Sequence, residues 1–388
     1  MHLFLCYNLY GDDMENNKNF NLFVFLSTFA RNLIEAFIGS ILYKAGFSLK
    51  EVILYYLIVN IVSALTTPIF IKISKKYSNR VVAFLGIIAF AILQVFLNEV
   101  KLNFGYLVLV ASLFALYRRG YWIARRYYNM KVIPKKNIAT SYSIISIINQ
   151  LSVILATYGG ALLLDYISIK VLTIISISLF IISIYPLFKL KFDNEYNNEK
   201  LDLVKTMKSI GFSNLYIFSS YELLNVTKFL FPLYVFIYVK NTYNTIGLLS
   251  LIANVATMLF SYLYARFINK EKNYLKICTI LIAVVYIFKI NTFGILLAAF
   301  SFLDGLITKM LEISLNKNYY ELSKKFEYYN YNYAYEFAQN TFRAIIVAIL
   351  YLITNDLKVM IYITLFFILS GLLFNFEKNN NKDYKAKK

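Results

Sequence analysis

A chain of 388 residues with mean hydropathy +0.58, 59% apolar side chains and only 16% charged ones cannot supply the polar surface of a soluble protein. The formal net charge is +19, but Lys and Arg fall between the apolar runs, as in the loops of a membrane protein. They form no patch of the kind that binds nucleic acid. His2 is the only histidine, and Cys6 and Cys278 belong to no cluster, which argues against a His-based catalytic triad or a zinc site.

The N-terminal tail, 1–19, has no basic n-region and does not read as a cleavable leader. From there the chain reads as apolar runs of about 20 residues, the length a helix needs to cross a bilayer. In the first half they cover 20–43, 51–73, 80–98, 103–123, 138–164 and 169–188. In the second half they cover 211–239, 243–267, 274–290, 292–314, 332–354 and 358–376. The runs lack period-2 alternation, and in lipid each backbone must satisfy its own hydrogen bonds, so helices are expected and not strands. The 35 Tyr and 34 Phe are expected at lipid-facing surfaces and in headgroup belts.

The connections alternate. One set is basic and includes Lys72, Lys75, Lys76 and Arg80, then Arg125, Arg126 and Lys131, then Arg266, Lys270 and Lys272. The other set is short, with one or two charges each, such as Lys44, Lys240 and Lys289. The excess of Lys and Arg then puts the basic loops and both termini in the cytoplasm of a multi-pass plasma-membrane protein. The longest polar connection, at 189–210, divides a six-helix bundle at 20–188 from a second at 211–376, and a basic tail follows at 377–388. Its mixed charges suit a solvated linker with an amphipathic surface helix. The expected fold is an all-α integral membrane protein with about twelve transmembrane helices in two six-helix bundles.

This layout resembles the major facilitator superfamily of transporters. The segment GYWIARRYYNMKVIPKKNIATSYSIISIINQLSVILATYGGALLLDY carries the closest likeness. A basic loop there precedes a small-residue-rich helix that ends in the pair Gly159 and Gly160 and the acidic Asp165. The stretch FARNLIEAFIGSILYKAGFSLKEV resembles the family's first helix and loop. The signature GxxxDRxGRR departs from the pattern in IKISKKYSNRVV, at 71–82. Ile71 stands at the glycine position and Lys75 at the aspartate, while Arg80 is retained. In the second half Asn269 takes the acidic position. The resemblance implies that helices 1, 4, 7 and 10 line a central cavity. It also implies a cytoplasmic gate among Lys75, Lys76, Arg80, Arg125, Arg126, Arg266 and Lys270.

Charges near mid-membrane are costly and usually face a cavity or a partner. Arg31, Glu222, Asp304 and Arg343 lie about ten residues into their spans. Arg31 and Glu35 are four apart and share a face, either as an anion-binding arginine tuned by a carboxylate or as a local ion pair. Asp304, Thr308 and Glu312 also share a face. Burial can raise a carboxylate toward neutrality, so Asp304 and Glu222 are proton-coupling candidates, against salt bridges to Arg31 or Arg343. Glu336, Gln339, Asn340 and Arg343 form a polar stripe expected to face the bundle interior. Asn149 and Gln150 are mid-depth amides of the kind that bridge helices or contact a solute. Arg118, Arg119, Arg125 and Arg126 repeat at a spacing of seven. Orientation and anionic lipid headgroups account for that repeat, or else a gate or anion pathway does.

The functional expectation is a secondary active transporter, not an enzyme. It would move a small polar or amphipathic solute by alternating access, with a carboxylate available for proton coupling. The substrate-binding set is Arg31, Glu35, Asn149, Glu222, Asp304, Gln339 and Arg343. The alternative is a flippase for lipids or lipid-linked saccharides. The expected partners are a small-molecule substrate and membrane lipids, with the chain a monomer and no cofactor or metal. No GxxxxGK[ST] motif is present to bind ATP.

Overall fold

The computed structural model describes residues 14–132, 138–191, 200–267 and 274–376. Its first span is α1 (Met14–Asn32), a 3-10 turn at Glu35–Phe37 and α2 (Ile38–Lys44). Then come α3 (Leu49–Lys76), α4 (Asn79–Leu97), α5 (Phe104–Val132), α6 (Ile138–Tyr166) and α7 (Ile169–Lys189). A short helix, α8 (Leu203–Ile210), precedes the seventh span, built from α9 (Phe212–Glu222), α10 (Leu224–Tyr234) and a π-turn at Val235–Val239. The chain continues through α11 (Tyr243–Phe267), α12 (Leu275–Lys289), α13 (Gly294–Ser323), α14 (Tyr328–Ile353) and α15 (Leu357–Ser370). Among the described residues ten segments are long and apolar enough to cross a bilayer, and the shorter α12 and α15 complete twelve in chain order. The protein is a multi-pass membrane protein with two halves of six spans each.

Local sequence sets where these helices start. Ser48 and Glu51 form a reciprocal capping box at α3, with the Ser48 amide donating to Glu51 Oε2 at 2.7 Å. Ser78, Ser168 and Asp356 accept the free amides of the first turns of α4, α7 and α15. Within each half the connections between spans are only a few residues long, which makes sequential helices run antiparallel. Between α8 and α9 the chain reverses at Gly211, whose φ of 87° only glycine adopts without strain.

Lipid tails are as apolar as Leu, so close fit holds these helices together more than transfer from water does. Within the halves, α1 packs on α6 and α7, α5 on α3 and α4, α13 on α11 and α12, and α15 on α10 and α12. The halves meet along two seams, α6 against α11 and α3 against α14. At Gly160 of α6 an added Cβ would strike the Leu33 carbonyl just after α1, so the glycine permits that backbone contact. Its neighbour Gly159 faces open space and lines an apolar groove of about 460 Å³ with Phe29 and Leu33.

Three expectations change. Many tyrosines are core residues rather than belt residues: Tyr55, Tyr117, Tyr121, Tyr234 and Tyr331 are fully buried, while much of the exposed apolar surface is Ile and Leu. The fourth helix does not stop near residue 123 but runs to Val132, which places Arg125 and Arg126 on a helix and not in a loop. Lys289 is buried at the end of α12 rather than set in a short connection. The central linker does form a helix, α8, capped by Asp202 and packed on α9 and α14. The tail at 377–388 lies outside the described residues.

Candidate functional site

The first span of each half is broken near its middle, and charged residues gather at the breaks. α1 gives way after Asn32, where Arg31 Nε lies 2.8 Å from Glu35 Oε2. α9 gives way at Leu223, with Glu222 and Asn225 on either side. Irregular backbone at membrane depth is tolerated where it is enclosed by protein or lines a cavity. Both breaks lie in contact with other helices of the bundle: the 3-10 turn after α1 packs on α10, and α9 packs on α14 and α15.

Around them lie several clusters of charge. Arg31 and Arg125 approach the same two rings. Arg31 is 5.4 Å from the centroids of both Tyr121 and Trp122, and Arg125 is 5.6 and 5.1 Å from them. Guanidinium groups over aromatic faces are attracted by the ring quadrupole. Arg125 also donates to Tyr121 Oη and to Asn149 Oδ1, each at 2.9 Å, and Thr28 donates to the same Asn149 oxygen at 3.0 Å. Asn149 thus ties α1, α5 and α6 together.

On the α14 side, Glu336 is 1% exposed and pairs with both Arg119 and Arg126, one on each carboxylate oxygen. Arg119 and Arg126 are seven apart on α5, so one carboxylate spans two turns of the facing helix. Asn340 and Arg343 continue that face, with Arg343 Nη2 donating to Asn340 Oδ1 at 2.9 Å. Arg343 Nη1 also lies 3.7 Å from Glu222 Oε2. Gln339 is buried there beside Tyr335.

On α13, Asp304 accepts from Lys289 Nζ at 2.6 Å and from Thr308 Oγ1 at 2.8 Å. Lys309 Nζ is 3.1 Å from Glu312, and Tyr142 of α6 donates to Glu312 at 2.6 Å.

The structure therefore brings together Arg31, Glu35 and Asn149 in the first half, and Glu222, Gln339 and Arg343 in the second. Asp304 is bonded to Lys289 and not to Arg31 or Arg343. Of the expected gate, Arg125 donates to Tyr121 and Asn149 within the first half, and Arg126 meets Glu336 and Tyr335 of the second. Arg80 donates to the Phe188 carbonyl at 3.3 Å, and Lys76 sits over Tyr77, so these two make contacts within the first half. Lys75 is half-buried at the end of α3. The side chain of Arg266 and all of Lys270 lie outside the described residues. Sequence reasoning missed Glu336 as the bridge, Trp122 as a shared ring, and Lys228 as a charge midway along the seventh span. The spacing of seven among the four arginines signalled the first of these, and a charge count within 211–239 would have signalled the last.

Contacts also close the two ends. On the face of the basic loops, Tyr127 meets Tyr328 at 5.3 Å, and Tyr328 donates to the Ile123 carbonyl at 2.9 Å. Arg126 lies 4.7 Å over Tyr335. On the opposite face, Tyr56 stacks on Phe229 at 4.1 Å and donates to the Asn225 carbonyl at 3.1 Å. The Asp165 carboxylate accepts the Tyr243 and Asn244 amides at the start of α11, at 3.1 and 2.6 Å. Both sets join the first half to the second.

Comparison with known proteins agrees with this arrangement. The chain shares its fold with a bacterial homologue of the iron transporter ferroportin in an outward-facing state (TM-score 0.64, 14% identity, 92% of this chain and 98% of that one). It is similar also to the human organic anion transporter MFSD10, or TETRAN (TM-score 0.66, 10% identity, 93% and 99%). A third similar structure is a mutant of the nucleoside transporter NupG (TM-score 0.65, 13% identity, 92% and 99%). No curated protein matches in sequence. The model of the Major Facilitator Superfamily matches residues 20–308, and the chain belongs to that family of membrane transporters.

Proposed function

We propose that this protein is a secondary transporter that carries a small polar solute past the central charged clusters by alternating access. The membrane is the plasma membrane, with both termini in the cytoplasm. The observation that carries the reading is the division of contacts between the halves. An aromatic and hydrogen-bonded set closes each face, and the two sets share no residue, so one can open while the other holds. Rocking of two six-helix units about a fixed mid-membrane site requires such a division.

Glu222 is the better candidate for proton coupling. Its side chain is 24% exposed, it accepts from Asn225 on the other side of the same break, and its one basic partner stands at 3.7 Å, longer than a direct hydrogen bond. Asp304 is held by a lysine and a threonine at short range, which suits a structural pair. The test is solute counterflow in proteoliposomes, with and without an imposed inward proton gradient. Glu222→Gln is expected to keep exchange and lose the response to the gradient, with Asp304→Asn failing in stability instead. A gradient response that survives Glu222→Gln removes the coupling role.

A further inference from the structure

On the outside of the first half, α1 is the floor of an open groove. α6 and α7 each pack on α1 and only lightly on each other, so they stand apart as its walls. Phe29 and Leu33 line the floor, Gly159 lies on one wall and Ile175 on the other, and Tyr166 and Ile167 stand at the end nearest the α6–α7 turn. The space measures about 460 Å³, and no charged side chain lines it. Leu155 of α6 and Ile174 of α7 are exposed on the same two helices, so the groove opens toward the bilayer.

The glycine pair of α6 divides at this groove. Gly160 admits the Leu33 carbonyl, whereas a Cβ added at Gly159 would meet nothing within 4 Å. Glycine inside a helix costs stability relative to alanine, and no neighbour in the chain requires one at 159. What the missing side chain supplies is space. The groove also has a definite depth. Tyr166 and Ile167 lie at the turn into α7, on the face opposite the basic loops. Gly159 is seven residues deeper than Tyr166, about 10 Å along the helix, and Leu33 follows the break in the first span. The groove therefore runs from one membrane surface toward mid-membrane, most of the roughly 15 Å of hydrocarbon in one leaflet.

We propose that this groove binds one acyl chain of a bilayer phospholipid, taken from the leaflet opposite the basic loops. A polar solute finds no charged group along the lining, while an apolar tail matches it in chemistry and in length. A tail lying there touches three helices at once. A tail on the convex outer surface touches fewer, and each added contact is a dispersion gain. The bound chain lies over Phe29 and Leu33, and so covers the lipid side of the break that carries Arg31 and Glu35. The site does not rest on the transport reading above.

The experiment uses the purified full chain in mixed micelles with phosphatidylcholine brominated on its acyl chains, which quenches nearby tryptophan. Two reporters are compared. Tyr166→Trp stands at the mouth of the groove. Phe293→Trp replaces another exposed aromatic on the same face, just before α13 and away from the groove. Wild type, with Trp122 alone, gives the baseline. An excess of unbrominated lipid is then added, and the recovery of fluorescence is followed. Recovery at Tyr166→Trp is expected to be at least roughly tenfold slower than at Phe293→Trp, because a tail held in a site differs from its neighbours mainly in its rate of leaving. Adding Gly159→Leu, which fills the groove, is expected to abolish the difference.

Equal recovery at the two reporters overturns the proposal, and so does slow recovery at Tyr166→Trp that survives Gly159→Leu. The comparison of reporters needs no change at Gly159, so it decides the matter even where that variant fails to fold. A second copy of the chain seated in the groove would appear as a dimer in light scattering that Gly159→Leu dissociates, and that result also overturns the bound tail. Neither readout requires a transported solute, so failure here leaves the transport reading as it stands.

Discussion

Replacing Glu336 isolates the link between the halves. The carboxylate is 1% exposed and holds Arg119 and Arg126 together against α14. Glu336→Gln leaves two buried guanidinium groups with only an amide between them. Removing one partner from a buried ion pair typically costs about 3–5 kcal/mol, because the stranded charge has already lost its water. At about 2–4 °C per kcal/mol for a unit of 150–250 residues, that is a fall of roughly 6–20 °C in melting temperature. Trp122 is the single tryptophan, and its ring lies against Arg125, one residue from Arg126, so its fluorescence reports on the region. The triple variant Arg119→Met, Arg126→Met and Glu336→Met removes all three charges and should recover stability to within about 2 kcal/mol of wild type, since apolar replacement of a buried ionic triad is often neutral or better. Two results would refute the reasoning: Glu336→Gln as stable as wild type, or a triple variant worse than the single one.

Four further outcomes follow from the same geometry. Lys289→Met strands Asp304 beside Thr308 and should destabilise by about 3–5 kcal/mol, with Lys289→Met plus Asp304→Asn recovering much of it, by chemical denaturation in mixed micelles. Gly160→Val drives a side chain into the Leu33 backbone and should cost about 1–3 kcal/mol or more, seen as reduced melting temperature and yield. Asp165→Ala frees two amides at the start of α11 and should increase labelling of a cysteine placed at Asn244, while leaving one placed at Tyr328 unchanged. Tyr328→Phe loses one hydrogen bond to the Ile123 carbonyl, about 1 kcal/mol, and should lower labelling of the cysteine placed at Asn244.

The sequence was most legible where a single physical rule dominates. Span positions follow from the length of apolar runs, and each expected span has a helical counterpart. The polar stripe of α14 was equally readable, since four polar residues on one helix face have nowhere to go but inward. Partners were less legible. Asp304 finds Lys289 fifteen residues earlier on the neighbouring helix, and spacing along one helix carries no information about that. Charges end an apolar run in the sequence even where the helix continues, as at Arg125 and Arg126. Glu336 and the ring of Trp122 make that continuation tolerable. The tyrosines were misplaced for a related reason: Tyr56 and Tyr328 bury their hydroxyls against carbonyls of the other half, which composition cannot foresee.

The most direct measurement of the account is reversible cross-linking of the two faces, in a background carrying Cys6→Ser and Cys278→Ser. One cysteine pair replaces Tyr127 and Tyr328, and the other replaces Tyr56 and Phe229, where ring centroids now stand 5.3 and 4.1 Å apart. Each pair is bridged with a short bifunctional thiol reagent containing a reducible link, and solute counterflow is measured in proteoliposomes. Alternating access predicts that either bridge alone abolishes counterflow and that reduction restores it, since the solute must leave by a face that can no longer open. Counterflow that continues with both faces bridged would contradict the account.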